Sequence, residues 1–333
     1  MNHKKIAQLA GVSPSTVSKA LSGSAEINRE TAEKIRKIAI NVGYFKEKSK
    51  RKREYGNGSN LMIAVIVPEI MGFHYATIVT CIKNHVEAKG GHVAVYIHDF
   101  DQQKSLDILQ SIILHGATDG VILFSKPEVS GKLNVPIVCC GQTSGGFDSI
   151  GYNVSALLED AVSFLRQRGH REIGFVGEPH TAAAAALFKE NMEKQGLSVA
   201  EAYMYIINAR FEQIGHEAAM QILQQERRPT AILAAYDEVA IGLASTLMQH
   251  GIRVPEDISV MGINNIPSAA HAQIPLTSVQ TFSEAQYATA VDVLYDRILN
   301  ENAPVRHILI EHKIIERETT KAIGERARET DRS

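Results

Sequence analysis

Apolar positions recur at helical spacing over the first 43 residues, vanish between residues 46 and 60, and return as short apolar runs separated by helical stretches. In the first segment Ile6, Leu9 and Ala10 make one side of a short helix. Val17, Ala20 and Leu21 make the side of a second, and Ala32, Ile35, Ala39 and Val42 form the stripe of a third. Punctuation residues mark the ends. Asn2 caps the first helix, and Gly11 gives the backbone freedom for a tight turn. Ser13 caps the second with Pro14 at its first position, where the missing N–H costs nothing. Asn28 opens the third and Gly43 ends it. With Val17, Ala20 and Leu21 facing inward, Ser15, Thr16, Ser18, Lys19 and Ser22 face outward.

From Leu61 the pattern predicts eight strands: 61–67, 93–97, 120–124, 135–140, 172–176, 203–207, 230–235 and 258–262. Helical periodicity lies between them, as in Ile78, Ile82, His85 and Val86, or Ala161, Phe164 and Leu165. Continuous apolar strands joined by helical crossovers mean parallel sheets covered on both faces. The 141–171 region splits the eight into two groups of four, which predicts two α/β lobes. Ligands of such folds bind at the carboxyl ends of the strands, here expected in a cleft between lobes.

Charge sharpens the reading of the first segment. Residues 1–55 hold 13 Lys/Arg against 5 Asp/Glu, a net of +8. The chain totals of 35 and 37 leave 22 against 32 for the remainder, a net of −10. A basic head therefore sits on an acidic body, the asymmetry expected of a phosphate-binding module. Small hydroxyl side chains plus one cation suit the major groove of DNA. Three helices in some 43 residues match the size of a helix-turn-helix module. The stretch 46–60 has six basic residues in its first eight positions, including Lys50, Arg51 and Arg53, followed by two glycines in a polar run. Its glycine part is a linker. Its basic part reads either as a solvated linker or as an arm on phosphate.

Other function classes find little support. No apolar run reaches the roughly 18 residues of a membrane span. Met1–Lys5 is basic, but no signal-peptide apolar stretch follows it. The three cysteines, Cys81, Cys139 and Cys140, lack metal-ligand spacing and predict reduced thiols in the cytoplasm. The adjacent pair reads as small core side chains of a buried strand. Phosphate-loop, dinucleotide, nucleophile-elbow and zinc-protease motifs are all missing from the sequence. The expectation is a binding protein with no cofactor or catalytic metal, not an enzyme.

The residues resemble those of the lactose-repressor/galactose-repressor family of bacterial transcription regulators from about residue 2 to 320. The similarity rests on Ile6-Ala7, Ala10-Gly11-Val12-Ser13, Thr16-Val17-Ser18-Lys19-Ala20-Leu21 and Gly43-Tyr44. It continues through Gly169-His170-Arg171-Glu172-Ile173-Gly174-Phe175, Pro229-Thr230-Ala231-Ile232 and Asp237-Glu238-Val239-Ala240-Ile241-Gly242. Gly251–Val260, Pro275–Val279 and Arg317–Thr320 complete it. The resemblance implies an operator-binding repressor, working as a homodimer on double-stranded DNA. Its body would be similar to periplasmic sugar-binding proteins, with a chain that crosses between lobes three times. The head would then be 1–45, the basic hinge 46–60, the body 61–323 and a charged tail 324–333. Within the body the first lobe would hold 61–165 and 282–310, and the second 166–281 and 311–323.

Departures from the family pattern carry information too. The hinge alanine falls on Lys50 and the wedge leucine on Arg53, so an apolar wedge cannot form; arginine in a narrowed minor groove is the substitute. The family's sugar-reading arginine falls on Ala184, inside the plain helix former Ala182–Ala186. Its two acidic ligands fall on Asn153 and Asn264, and an asparagine falls on Tyr236. Asp237 remains, and Phe73, His74 and Tyr75 keep the aromatic character after the first strand. The expected effector set is therefore Phe73, His74, Tyr75, Asn153, Tyr236, Asp237 and Asn264. The expected DNA set is Pro14, Ser15, Thr16, Ser18, Lys19, Ser22, Lys50, Arg51 and Arg53. Two readings of control stay open: a small effector in the cleft, or regulation by a partner protein or by abundance alone.

Overall fold

The computed structural model describes residues 3–22, 24, 26–42, 44, 60–115, 118–125, 135–141, 146–281, 284–300 and 302–324. The expected cap at Asn2, the helix end at Gly43 and the basic run with Lys50, Arg51 and Arg53 lie outside them.

The head is three helices: α1 (His3–Ala10), α2 (Pro14–Leu21) and α3 (Arg29–Asn41). Gly11 adopts φ +72°, which lets the chain reverse between α1 and α2. The Ser13 side chain accepts from the Thr16 N–H at 3.1 Å, and Asn28 Oδ1 accepts from the Thr31 N–H at 2.8 Å, so α2 and α3 start as predicted. Ile6, Ala7, Ala10, Val17, Ala20, Ala32, Ile35 and Ala39 are buried together. Leu9, expected on that face, is 54% exposed. The inward stripe of α1 runs along residues 6, 7 and 10, and Ala7 takes the place expected for Leu9. Tyr44 ties the end of the head to its start, its hydroxyl 2.6 Å from His3 Nε2.

The chain divides into two compact units, Met1–Gly151 with Glu284–Ile308 and Tyr152–Ser283 with Leu309–Ser333. The sheet of the first unit comprises β1 (Met62–Val67), β2 (His92–Ile97), β3 (Gly120–Leu123), β4 (Ile137–Gly141), β5 (Asp148–Gly151) and β11 (His307–Leu309), in the order β11-β5-β4-β3-β1-β2. Helices α4 (Phe73–Ala88), α5 (Gln102–His115) and α11 (Glu284–Leu299) belong to it. In the second unit, β6 (Ile173–Gly177), β7 (Met204–Ile206), β8 (Ala231–Ala234), β9 (Ser259–Ile263), β10 (Thr277–Gln280) and β12 (Lys313–Ile315) pair in the order β12-β10-β9-β8-β6-β7. Helices α6 (Val154–Gln167), α7 (Ala182–Lys194), α8 (Glu212–Leu223), α9 (Asp237–Gln249) and the short α10 (Pro267–Ala270) complete this unit. The two sheets repeat one topology: β1 pairs with β2 and β3 in parallel as β6 pairs with β7 and β8, with β12 antiparallel on β10. Close helix packing in the second unit needs two glycines. A Cβ at Gly215 would lie 2.2 Å from the Val239 carbonyl, and one at Gly242 2.2 Å from the Glu212 carbonyl.

All eight predicted strands are present, within two residues at each end. Cys139 and Cys140 are buried in β4 as expected. Four strands were not predicted: β5, β10, β11 and β12. In β5 and β10 the first two buried positions are polar, Asp148 and Ser149 in one, Thr277 and Ser278 in the other, with a single large apolar side chain each, Ile150 and Val279. They do not read as apolar runs. The predicted lobe boundaries also shift. The first crossing falls at 151/152 and not 165/166, because α6 buries Leu157, Leu158, Val162 and Leu165 with Ile173, Phe175 and Phe188 of the second unit. Each such side chain contributes roughly 1.5–3 kcal/mol, which commits the helix to that unit. The later crossings fall at 283/284 and 308/309. No helix among the described residues is long and apolar enough to cross a membrane.

Candidate functional site

The outward face of α2 is built as its sequence predicts. Pro14, Ser15, Ser18, Lys19 and Ser22 are exposed and Thr16 is half-buried. Their hydroxyls are partly organised already. Ser13 Oγ lies 2.8 Å from both Ser15 Oγ and Thr16 Oγ1, and Ser22 Oγ donates to the Lys19 carbonyl at 3.0 Å. The Lys19 ammonium pairs with Glu26, an acid the sequence reading did not single out. A short helix whose first turn carries exposed hydroxyls and whose last turn carries a cation can present donors and acceptors to base edges.

At the carboxyl edge of the first sheet the β1–α4 loop exposes Ile70 and Met71, Met71 by 84%, and Phe73, the first residue of α4, is exposed beside them. His74 follows Phe73 on α4, and burial pushes its imidazole down to about 4, so the ring is neutral at physiological pH. Tyr75 meets Phe124 edge-on at 6.0 Å and Phe100 at 6.5 Å between centroids, and Phe124 lies 6.0 Å from Tyr287. Phe73, His74 and Tyr75 thus open a larger aromatic cluster on this edge.

The carboxyl edge of the second sheet carries a polar network. Glu178, directly after β6, is buried and pairs with Arg210. The Tyr236 hydroxyl donates to Glu178 Oε1 at 2.7 Å and accepts from the Phe211 N–H at 3.3 Å. The Phe211 ring meets Tyr236 edge-on at 6.3 Å and takes the Arg210 guanidinium over its face at 4.7 Å. Burial and the Glu178 carboxylate push the Tyr236 phenol up, so it stays a donor. Of the expected residues, Asn153 is exposed and caps α6, accepting from the Ala156 N–H at 3.1 Å. Asn264 accepts from Thr281 Oγ1 at 2.9 Å.

Asp237 departs from expectation. It is fully buried, with Oδ1 accepting from Ser278 Oγ at 2.6 Å and Oδ2 from the Ile266 N–H at 2.8 Å. Both oxygens are engaged by the protein, so its place is structural: it fixes the loop that carries Asn264. Burial first, then Glu238, push this carboxyl up to about 7 against the opposing hydrogen bonds and Arg317. Sequence reading missed Glu178, Arg210, Phe211, Phe100, Phe124 and Tyr287. A usable signal existed for two of them, since Glu178 and Phe124 each follow the last residue of a strand.

Backbone strain marks the same edges. Five of the six described non-glycine residues with positive φ are Asp99 and Phe100 after β2, Phe211 after β7, and Asn264 and Asn265 after β9. Asparagine tolerates this region; phenylalanine does not, and each such residue costs of order 1–3 kcal/mol. Among the described residues, no group of three His, Cys, Asp or Glu side chains could hold a metal ion.

A capped helix-turn-helix joined to two parallel α/β units with repeated topology defines a DNA-binding regulator of transcription. Residues 4–47 match the family of bacterial regulatory proteins, lacI family, and residues 162–320 match the periplasmic binding protein-like domain. The chain therefore joins a lacI-family DNA-binding domain to a periplasmic binding protein-like domain. It is 27% identical over 334 residues to the HTH-type transcriptional repressor PurR of Vibrio atlanticus, covering 96% of this chain and 99% of that one. It is 26% identical to catabolite control protein A of Priestia megaterium, covering 95% and 98%. A solved putative LacI regulator from Bacillus cereus subsp. cytotoxis superposes with a TM-score of 0.70 at 18% identity, over 79% of this chain and 99% of that chain.

Proposed function

We propose that the chain represses transcription in the cytoplasm as a homodimer, each head laying α2 in the major groove at one half of a near-palindromic operator. The observation that carries this is the outward face of α2, where Pro14, Ser15, Ser18, Lys19 and Ser22 stand exposed beyond a Ser13 cap, in a head and hinge whose residues 1–55 carry a net charge of +8. Thr16 adds a hydroxyl in the first turn, and Lys19 is long enough to reach guanine O6 and N7. The basic run with Lys50, Arg51 and Arg53 adds phosphate contacts. Two heads on a two-fold axis fit half-sites about one helical turn apart. A solution mass of four chains at micromolar concentration would refute the dimer.

A small ligand at the carboxyl edges of the sheets modulates this binding by favouring one arrangement of the body over another. The aromatic rings at these edges and the alanine at position 184 support a flat or aromatic ligand over a neutral sugar.

The test begins with an operator selected from random duplexes by the full-length protein. Lys19→Ala then costs roughly 1–3 kcal/mol on that operator and much less on random DNA. Equal losses on both duplexes overturn base reading by Lys19.

A further inference from the structure

The turn between α2 and α3 is tied back onto the recognition helix. The Ser24 N–H donates to the Lys19 carbonyl at 3.0 Å, where Ser22 Oγ also donates, and Ser24 Oγ accepts from the Glu26 N–H at 3.4 Å. This arrangement sets the Glu26 carboxylate against the Lys19 ammonium on the exposed surface of a head that otherwise carries excess positive charge. An acid here has no role in the core: its side chain is 67% exposed, and that of Lys19 49%. Phosphates repel it. Its effect on DNA binding therefore runs through Lys19.

We propose that Glu26 is a specificity-determining residue that keeps Lys19 engaged on DNA lacking the correct base and releases it only at the operator. The inference rests on the reading that Lys19 contacts a base. On random DNA the ammonium can leave Glu26 for a phosphate, but that strands a carboxylate beside the phosphate backbone. It stays with Glu26, and one phosphate contact is forgone. At the operator a guanine offers two acceptors in fixed geometry, worth about five- to 150-fold in affinity. An exposed ion pair is worth only about 1.4- to five-fold. The base wins that competition, whereas a single mobile phosphate contact does not.

The experiment measures binding by fluorescence anisotropy over a salt series, on the selected operator and on random duplex, with full-length protein. The variants are Glu26→Gln, Lys19→Ala and the pair together, each checked for its native circular dichroism and melting temperature. Glu26→Gln should steepen the slope of log K against log salt on random DNA by about 0.9, the signature of one new phosphate contact. It should tighten random binding more than operator binding, so that discrimination falls by about two-fold or more. In the Lys19→Ala background the same substitution should leave the slope in place. An unchanged slope on random DNA, or the same steepening without Lys19, overturns the proposal. If Lys19→Ala itself loses equally on both duplexes, the base-reading premise fails and the proposal falls with it. If Lys19→Ala discriminates but Glu26→Gln leaves the slope unchanged, this proposal alone fails.

Discussion

Asp237 offers a measurement in which stability, pH and geometry are tied to one atom pair. The folded chain holds its proton up to about pH 7, because burial disfavours the carboxylate more than Ser278 and the Ile266 N–H favour it. An unfolded aspartate releases its proton near pH ~3.9. Between those values the native state binds the extra proton, so stability falls as pH rises, by about 1.4 kcal/mol per unit. From pH 5 to pH 8 the loss comes to about 2.7 kcal/mol, and above about pH 7 it is complete. Asparagine copies the protonated acid: its carbonyl accepts from the Ile266 N–H and its amide donates to Ser278 Oγ. Asp237→Asn should therefore lie within about 1 kcal/mol of the parent at pH 5. At pH 8 it should be more stable than the parent by roughly 2 kcal/mol. Urea denaturation of both proteins at pH 5, 6, 7 and 8 reads this directly, since all other groups titrate alike in the two and cancel. A uniform cost of about 1–3 kcal/mol at every pH would refute the reasoning. It would mean that the carboxylate is ionised throughout and that its two hydrogen bonds outweigh burial.

Asp148 should behave in the opposite sense. Burial would raise its carboxyl, but hydrogen bonds from Arg297 and the Arg306 N–H, and both guanidinium charges, bring it below the ordinary range. Its contribution is present above pH ~3.9 and lost as pH falls through the folded value. Asp148→Asn should cost about 2–4 kcal/mol near neutral pH by taking the carboxylate from the part-buried Arg297 guanidinium, with the gap to the parent narrowing in acid; equal melting temperatures at pH 7 would exclude this. Neutralising Lys50, Arg51, Lys52 and Arg53 together should flatten the salt slope of operator binding by about 0.9 for each one that touches phosphate, and an unchanged slope returns the run to a solvated linker. Calorimetry with common monosaccharides should show no micromolar binding; a monosaccharide that binds at micromolar Kd and releases the operator contradicts the aromatic-ligand reading.

The head and most of the strands were legible because their determinants are local. A cap, a proline at the first helical position and a glycine in the turn lie within four residues of one another, and each acts on its own neighbours. The apolar strands announce themselves because both faces are covered. The strands that escaped, β5 and β10, are buried through polar residues whose partners are distant in sequence: Asp148 with Arg297, and Thr277 with Thr320. Nothing within Asp148–Gly151 reveals that an arginine 149 positions away will neutralise it. The crossing at 151/152 was misplaced for a related reason, since the apolar face of α6 says that it packs but not against which sheet.

The carboxyl edges of the sheets show the limit more sharply. With alanine at 184, α7 offers no guanidinium fork. The structure has a guanidinium at the edge of this sheet, at Arg210, in a loop without sequence likeness to the helix at 182–194. It is committed to Glu178, which is almost fully buried and also takes the Tyr236 hydroxyl. A ligand anion that drew Arg210 away would leave a buried carboxylate without its countercharge, at a cost of several kcal/mol. A ligand that lies against Phe211 and Tyr236 meets no such cost and leaves the network whole. The strained φ of Phe211 is consistent with that use, for it holds the ring over the edge while its N–H stays on Tyr236. On the proposed reading, an arrangement in which Arg210 is held by Glu178 and the Phe211 and Tyr236 rings meet edge-on would favour a stacking ring over ionic capture.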